Sequence, residues 1–178
     1  MKEAKITGII LTSFPIFEKD KLVEIFSEEW GKVKLLAKYA NTSSFRFGGK
    51  LDSGHYVSCQ LYRAKTFHIV TQCDLIEVFS GIRNSFNALS LAGYAVSVIR
   101  HLTVFNQVNV PLFVALHAFL KKLNVTSEDI HAAKSEFHAA ILQAEGLHSD
   151  KHPSDREFKR IFEMYSDKQL PDPVLLTR

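Results

Sequence analysis

The stretch Lys32-Val33-Lys34-Leu35-Leu36-Ala37-Lys38 decides the fold class. Val33, Leu35 and Ala37 fall on one side of an extended chain, and Lys32, Lys34 and Lys38 on the other. That period of two belongs to a β-strand with one buried face. Upstream, Lys21–Ser27 carries Leu22, Val23, Ile25 and Phe26, which fit a strand or a turn and a half of helix. Glu29-Trp30-Gly31 reads as a short hairpin connection and favours the strand. Farther upstream, Ala4–Phe14 is rich in Ile and Thr and meets a turn signal at Pro15. Downstream, Tyr56–Lys65 alternates Val57, Cys59 and Leu61 with polar or aromatic neighbours, and Phe67–Glu77 supplies a further strand. Five short strands within about 75 residues point to a small barrel rather than an open sheet.

Beyond Ser80-Gly81 the apolar period changes to between three and four. Asn84–Phe105 reads as a long helix, apolar nearly all round and therefore central. Pro111 suits the first turn of a second helix, Leu112–Leu123. Thr126-Ser127-Glu128-Asp129 has the form of a capping box for a third, ending near Gly146. Ser154, with Glu157 three residues on, caps a fourth that runs to about Tyr165. The fold expected is α+β, with a five-stranded barrel over residues 1–80 and a helical bundle over residues 81–178.

The net charge of +3 in 178 residues is concentrated. Residues 32–67 hold seven bases (Lys32, Lys34, Lys38, Arg46, Lys50, Arg63 and Lys65) against one acid, Asp52, whereas residues 76–178 are balanced. A one-sided field of this kind suits a polyanion, whose condensed counterions are released on binding. Charge by itself equally allows a solvated face. Phe45-Arg46-Phe47-Gly48-Gly49-Lys50 interleaves rings, bases and flexible glycines, a mixture suited to holding a strand by stacking and charge. The competing reading of Phe47 is a core ring at a glycine-permitted turn.

No phosphate-cradling glycine loop, nucleophile elbow or two-metal carboxylate cluster is present. His131 and His138 share a helix face, and His148 and His152 flank Asp150 before Pro153, but neither pair makes a convergent metal site. Cys59 and Cys73, without a secretion signal, are expected reduced and buried. The longest apolar run, Ala92–Ile99, is far short of the roughly 20 residues of a membrane span. A cytosolic, non-catalytic protein without cofactor or metal is the expectation.

Several segments, in order and in spacing, resemble the RecO family of bacterial recombination mediators. They are Phe26–Lys38 with its glycine hairpin and Ala37-Lys38, Phe47-Gly48-Gly49-Lys50-Leu51, and Leu61-Tyr62-Arg63. Thr71-Gln72-Cys73-Asp74-Leu75-Ile76-Glu77-Val78-Phe79 and the helix start Pro111-Leu112-Phe113 continue the series, which covers roughly residues 5–125. Two departures stand out. The family commonly carries a four-cysteine zinc module in its helical half, and no cysteine follows Cys73 here. The central helix commonly has a Glu after its Tyr, where this chain has Ser97 beyond Tyr94.

The resemblance implies an oligonucleotide-binding (OB-fold) barrel that binds single- and double-stranded DNA and anneals complementary strands. RecR and the acidic tail of single-stranded DNA-binding protein are the implied partners, and RecA loading the outcome. The residues expected to hold DNA are Lys32, Lys34, Lys38, Arg46, Lys50, Arg63 and Lys65, with stacking from Tyr39 or Phe45. Phe119, Lys121 and Lys122 are the candidates for the tail peptide, as an apolar groove with a basic rim. The alternatives are a protein-interaction adaptor whose basic face is merely solvated, and an RNA-binding barrel.

Overall fold

The computed structural model describes residues 3–42, 47–64, 67–125, 130–147 and 152–173. It divides into two compact units, Met1–Val78 with Thr103–Asn109, and Phe79–Leu102 with Val110–Arg178.

In the first unit, strands β1 (Glu3–Ile16), β2 (Asp20–Ser27), β3 (Gly31–Ala37), β4 (Tyr56–Tyr62) and β5 (His68–Glu77) close into a barrel in the order β1-β2-β3-β5-β4. All neighbours are antiparallel except β3 and β5, which run parallel through Leu35 with His68 and Leu36 with Ile69. This Greek-key order is that of an OB fold. The alternation read in the sequence aims Val33, Leu35 and Ala37 inward, where they meet Ile6, Ile10, Val23, Ile25, Val57, Cys59, Leu61 and Val70. Each Val, Leu or Ile side chain among them contributes about 1.5–3 kcal/mol when taken out of water. Phe47 and Leu51 plug the same core, so Phe47 is the turn-tucked ring rather than a stacking surface.

Strand β1 runs two residues past the expected stop. Its first half pairs with β4, as far as Ile9 with Tyr56, and its second half with β2, with an irregularity between Ile10 and Thr12. Pro15 sits opposite Lys21 beyond the β4 pairing. A missing N–H is tolerated where a strand has a neighbour on one side only.

The β2–β3 hairpin closes on Gly31, at φ +68. A Cβ there would lie 2.0 Å from the carbonyl oxygen of Gln107. Close approach arises because Thr103–Asn109 runs against β3. Phe105 forms a parallel bridge with Lys32, and the Asn106 N–H donates to the Lys32 carbonyl at 2.8 Å. The helix expected to reach Phe105 therefore stops at Leu102, and the chain past it is extended.

The second unit opens with a 3₁₀ turn, Ser80–Asn84, followed by α1 (Phe86–Leu102), α2 (Val110–Val125), α3 (Ile130–Ala144) and α4 (Asp155–Ser166). Ser85 Oγ accepts from the Ala88 N–H at 3.3 Å and so fixes the start of α1. Pro111 occupies the first turn of α2, and Ser154 caps α4 by accepting from Glu157 N–H. Gly146, at φ +71, ends α3, with Leu147 N–H returning to Leu142 and Gly146 N–H to Gln143. The expected capping box at 126–129 lies outside the described residues.

Phe119 of α2 stacks on Phe137 of α3, with centroids 4.4 Å apart. His138 of α3 joins three helices. Its Nε2 lies 2.6 Å from the Tyr94 hydroxyl of α1, and its ring stacks on Phe158 of α4 at 3.8 Å. Lys134 Nζ donates to Asp155 Oδ2 at 2.7 Å beside it. Burial pushes the His138 imidazole down to about 3, the Lys134 charge acting the same way and Asp155 opposing. Burial also raises the Tyr94 phenol, so the pair is neutral.

Two outcomes are expected. Gly31→Ala loses at least ~2 kcal/mol in chemical denaturation, because an L-residue at this φ is strained and its Cβ strikes backbone. A loss below ~0.5 kcal/mol would mean the Thr103–Asn109 segment is not held against β3. For His138, the unfolded ring gains its proton near pH 6.5 while the folded ring stays neutral to about pH 3. Its contribution is complete above pH 6.5 and declines as pH falls toward 3, by up to ~1.4 kcal/mol per pH unit. Denaturation of the helical signal should show this extra slope in the wild type relative to His138→Phe, and equal slopes would refute it.

Candidate nucleic-acid interface

Strand β3 sends Lys32 and Lys34 to the outside of the barrel, but their surroundings differ. Lys34 is exposed, whereas Lys32 is only 5% exposed. Both ammonium groups lie over the same ring, Lys32 Nζ 4.5 Å and Lys34 Nζ 4.4 Å from the Phe105 centroid. The negative face of an aromatic ring offsets part of the repulsion between two cations held this close. Lys34 also stands opposite the buried Glu24 of β2. The open three-lysine track expected from the sequence is thus corrected at Lys32. Period two gives the side of the strand, while the cover comes from Phe105, far along the chain. Lys38 follows the end of β3 and is exposed beside Tyr39, itself 53% exposed.

Trp30, in the β2–β3 turn, gathers a second group. The exposed Arg63, just past β4, places its guanidinium 4.8 Å from the Trp30 ring centroid, and the first residue of β5, His68, meets that ring edge-on at 5.8 Å. Lys50 is anchored differently. Its Nζ donates to the Cys73 carbonyl at 2.9 Å and lies 3.8 Å from Asp74 Oδ1. Phe45, Arg46 and Lys65 lie outside the described residues. The arrangement brings Lys34 together with Phe105, and Arg63 with Trp30. Each is a cation on an aromatic face, able to meet a phosphate without leaving its ring. Sequence reasoning misses Trp30 and Phe105 as partners of these cations. The only available signal is a lone tryptophan beside a hairpin glycine.

In the helical unit the expected peptide groove is corrected at Phe119, which is 4% exposed and committed to the Phe137 stack. Lys121 is exposed, and Lys122 is ion-paired with Glu136. His131 is exposed while His138 is fully buried, so the two do not converge, and His148 lies outside the described residues. Among the described residues no group of three or more His, Cys, Asp or Glu could hold a metal ion. A four-cysteine zinc module does not fit the given residues, whose two cysteines, Cys59 and Cys73, both lie in the barrel strands. Cys59 and Cys73 are free and buried, opposite each other across β4 and β5, with sulfurs 3.3 Å apart. Among the described residues no helix is long and apolar enough to cross a membrane.

A closed five-stranded Greek-key barrel, here bearing cations on aromatic faces along β3 and beside the β2–β3 turn, defines a protein of the OB class. Residues 1–79 match the family model for the recombination protein O N terminal region. The chain is 27% identical over 146 residues to the DNA repair protein RecO of Geobacter metallireducens, covering 82% of this chain and 59% of that protein. It is 31% identical over 150 residues to the DNA repair protein RecO of Anaeromyxobacter dehalogenans, covering 83% and 58%. With that of Acetivibrio thermocellus it shares 29% over 128 residues, covering 72% and 50%. The chain is thus similar to the RecO family, through its N-terminal region and through relatives aligned over most of this chain. It spans a little over half the length of the first of these relatives.

The different surroundings of the two β3 lysines predict opposite profiles. Lys32→Ala should cost about 1–2 kcal/mol of stability, through lost stem packing and the missing desolvated cation–π pair. Lys34→Ala should cost under ~1 kcal/mol. Equal losses in urea denaturation would contradict the buried placement of Lys32.

Proposed function

We propose that this chain is a non-catalytic DNA-repair protein that binds single- and double-stranded DNA through the barrel and holds complementary strands close enough to anneal. Similarity to the RecO family and the barrel topology support this reading. The observation that carries it is the set of exposed cations on the β2–β3 hairpin and beside it, namely Lys34, Lys38 and Arg63. Lysine and arginine contacts go mainly to phosphate, so binding is tolerant of sequence and steeply dependent on salt. Neutralising the charge of both strands lets them approach and pair.

In the same reading the chain acts in the cytosol with RecR and with the acidic tail of single-stranded DNA-binding protein, and assists RecA loading. With Phe119 buried, the exposed Lys121 and the ion-paired Lys122 remain of that group as candidates for the tail peptide.

The test combines annealing and titration. The chain should speed pairing of complementary oligonucleotides coated with single-stranded DNA-binding protein. Lys34→Glu with Lys38→Glu should weaken single-strand binding at least tenfold at moderate salt. The same pair should flatten the salt dependence by about 0.7 in log–log slope for each phosphate that the protein no longer neutralises. Unchanged affinity and slope would leave the adaptor reading, with a merely solvated basic face.

A further inference from the structure

The turn between β1 and β2 and the turn after β3 each hold one aromatic residue in a left-handed backbone conformation. Phe17 has φ 55 and Tyr39 has φ 59. Bulky side chains seldom occupy that region, and residues held there against preference concentrate at binding sites. Neither ring is repaid by burial, Phe17 being 81% and Tyr39 53% exposed.

The two turns are tied to each other. Tyr39 N–H donates to Asp20 Oδ1 at 2.9 Å, and Asn41 N–H to the Lys19 carbonyl at 2.9 Å. The Asn41 side-chain amide reaches the Glu18 carbonyl at 3.3 Å, and Thr42 Oγ1 donates to the Tyr39 carbonyl at 2.8 Å. Between them lies a surface cleft of about 380 Å³, lined by Phe17, Glu18, Lys19, Asp20, Lys38 and Tyr39. That volume lies within the roughly 300–1,000 Å³ of small-ligand clefts.

We propose that this cleft is a clamp for an unpaired base of single-stranded DNA, with Phe17 and Tyr39 as stacking surfaces and Lys19 and Lys38 beside them for the flanking phosphates. The charges on the lining select this occupant. Two lysines face two carboxylates, one of them, Asp20, engaged by the Tyr39 amide, so the cleft is close to neutral. A ligand held by charge alone gains little there, while a flat, neutral base gains stacking on either ring. A base inside a duplex is already stacked on its neighbours and does not offer its faces. The first loop of an OB barrel is among its usual ligand-binding elements. The clamp rests on the DNA-binding reading above and adds to it a preference for single strands.

The test uses the whole chain with Phe17→Gly, Tyr39→Gly and both together. Glycine keeps the backbone N–H that Tyr39 donates and accepts the left-handed φ without strain, so thermal midpoints should hold or rise. Binding is measured to an oligothymidylate, to an abasic oligomer of equal length and to a blunt duplex. The expected result is a loss of about five- to a hundredfold for the oligothymidylate, the range for one base–aromatic stack. Affinity for the abasic strand and the duplex should stay within about twofold, with the salt dependence unaltered. Equal losses on all three ligands, no loss on any, or a clear drop in thermal midpoint would overturn the clamp while leaving barrel binding intact. A wild-type chain that binds none of the three would overturn both readings.

Discussion

Closure of the five-stranded sheet depends on a narrow seam, the parallel pairing of Leu35 with His68 and of Leu36 with Ile69. Every other junction is a longer antiparallel ladder, and β1 contributes to two of them by handing over from β4 to β2 near Ile9. Parallel pairing cannot be made by a tight turn and needs a long connection, here the chain between Ala37 and His68. That connection brings Phe47 and Leu51 into the core and sets β5 beside β3. With the seam closed, the Arg63, Trp30 and His68 side chains meet, since they come from just past β4, the β2–β3 turn and β5.

The outer side of β3 shows how one strand face can carry two roles. Lys32 and Lys34 differ by two positions and point the same way, yet one is enclosed and the other open. The difference is Phe105, which bridges to Lys32 and lies beneath both ammonium groups. A single ring binds one cation into the fold and leaves its neighbour available at the surface. Gly31 makes this possible, because any side chain there would occupy the path of Gln107.

In the helical unit, a buried histidine gathers residues that lie far apart in the sequence. His138 touches the Tyr94 hydroxyl and the Phe158 ring, and Lys134 secures Asp155 next to them. Burial keeps the imidazole neutral, so the cluster holds three helices through packing and hydrogen bonds. Desolvation makes such a neutral, hydrogen-bonded aromatic pair cheaper to bury than an ion pair.

The sequence by itself determined the strands, their inward faces, the change to helical period near Ser80 and the caps at Pro111, Ser154 and Gly146. These features follow from local periodicity and backbone preference, which a few neighbouring residues carry. It also placed the basic excess in residues 32–67 and carried, in its ordered motifs, the likeness to the RecO family. Only the tertiary structure decided which of those bases are open to solvent. Lys32 is covered by a residue more than seventy positions away, Lys50 is tethered to β5, and Phe119 is spent on an internal stack. The turn tips holding Phe17 and Tyr39 likewise meet only because the barrel brings them together. Exposure depends on what long-range packing places above a side chain, and no local pattern encodes that.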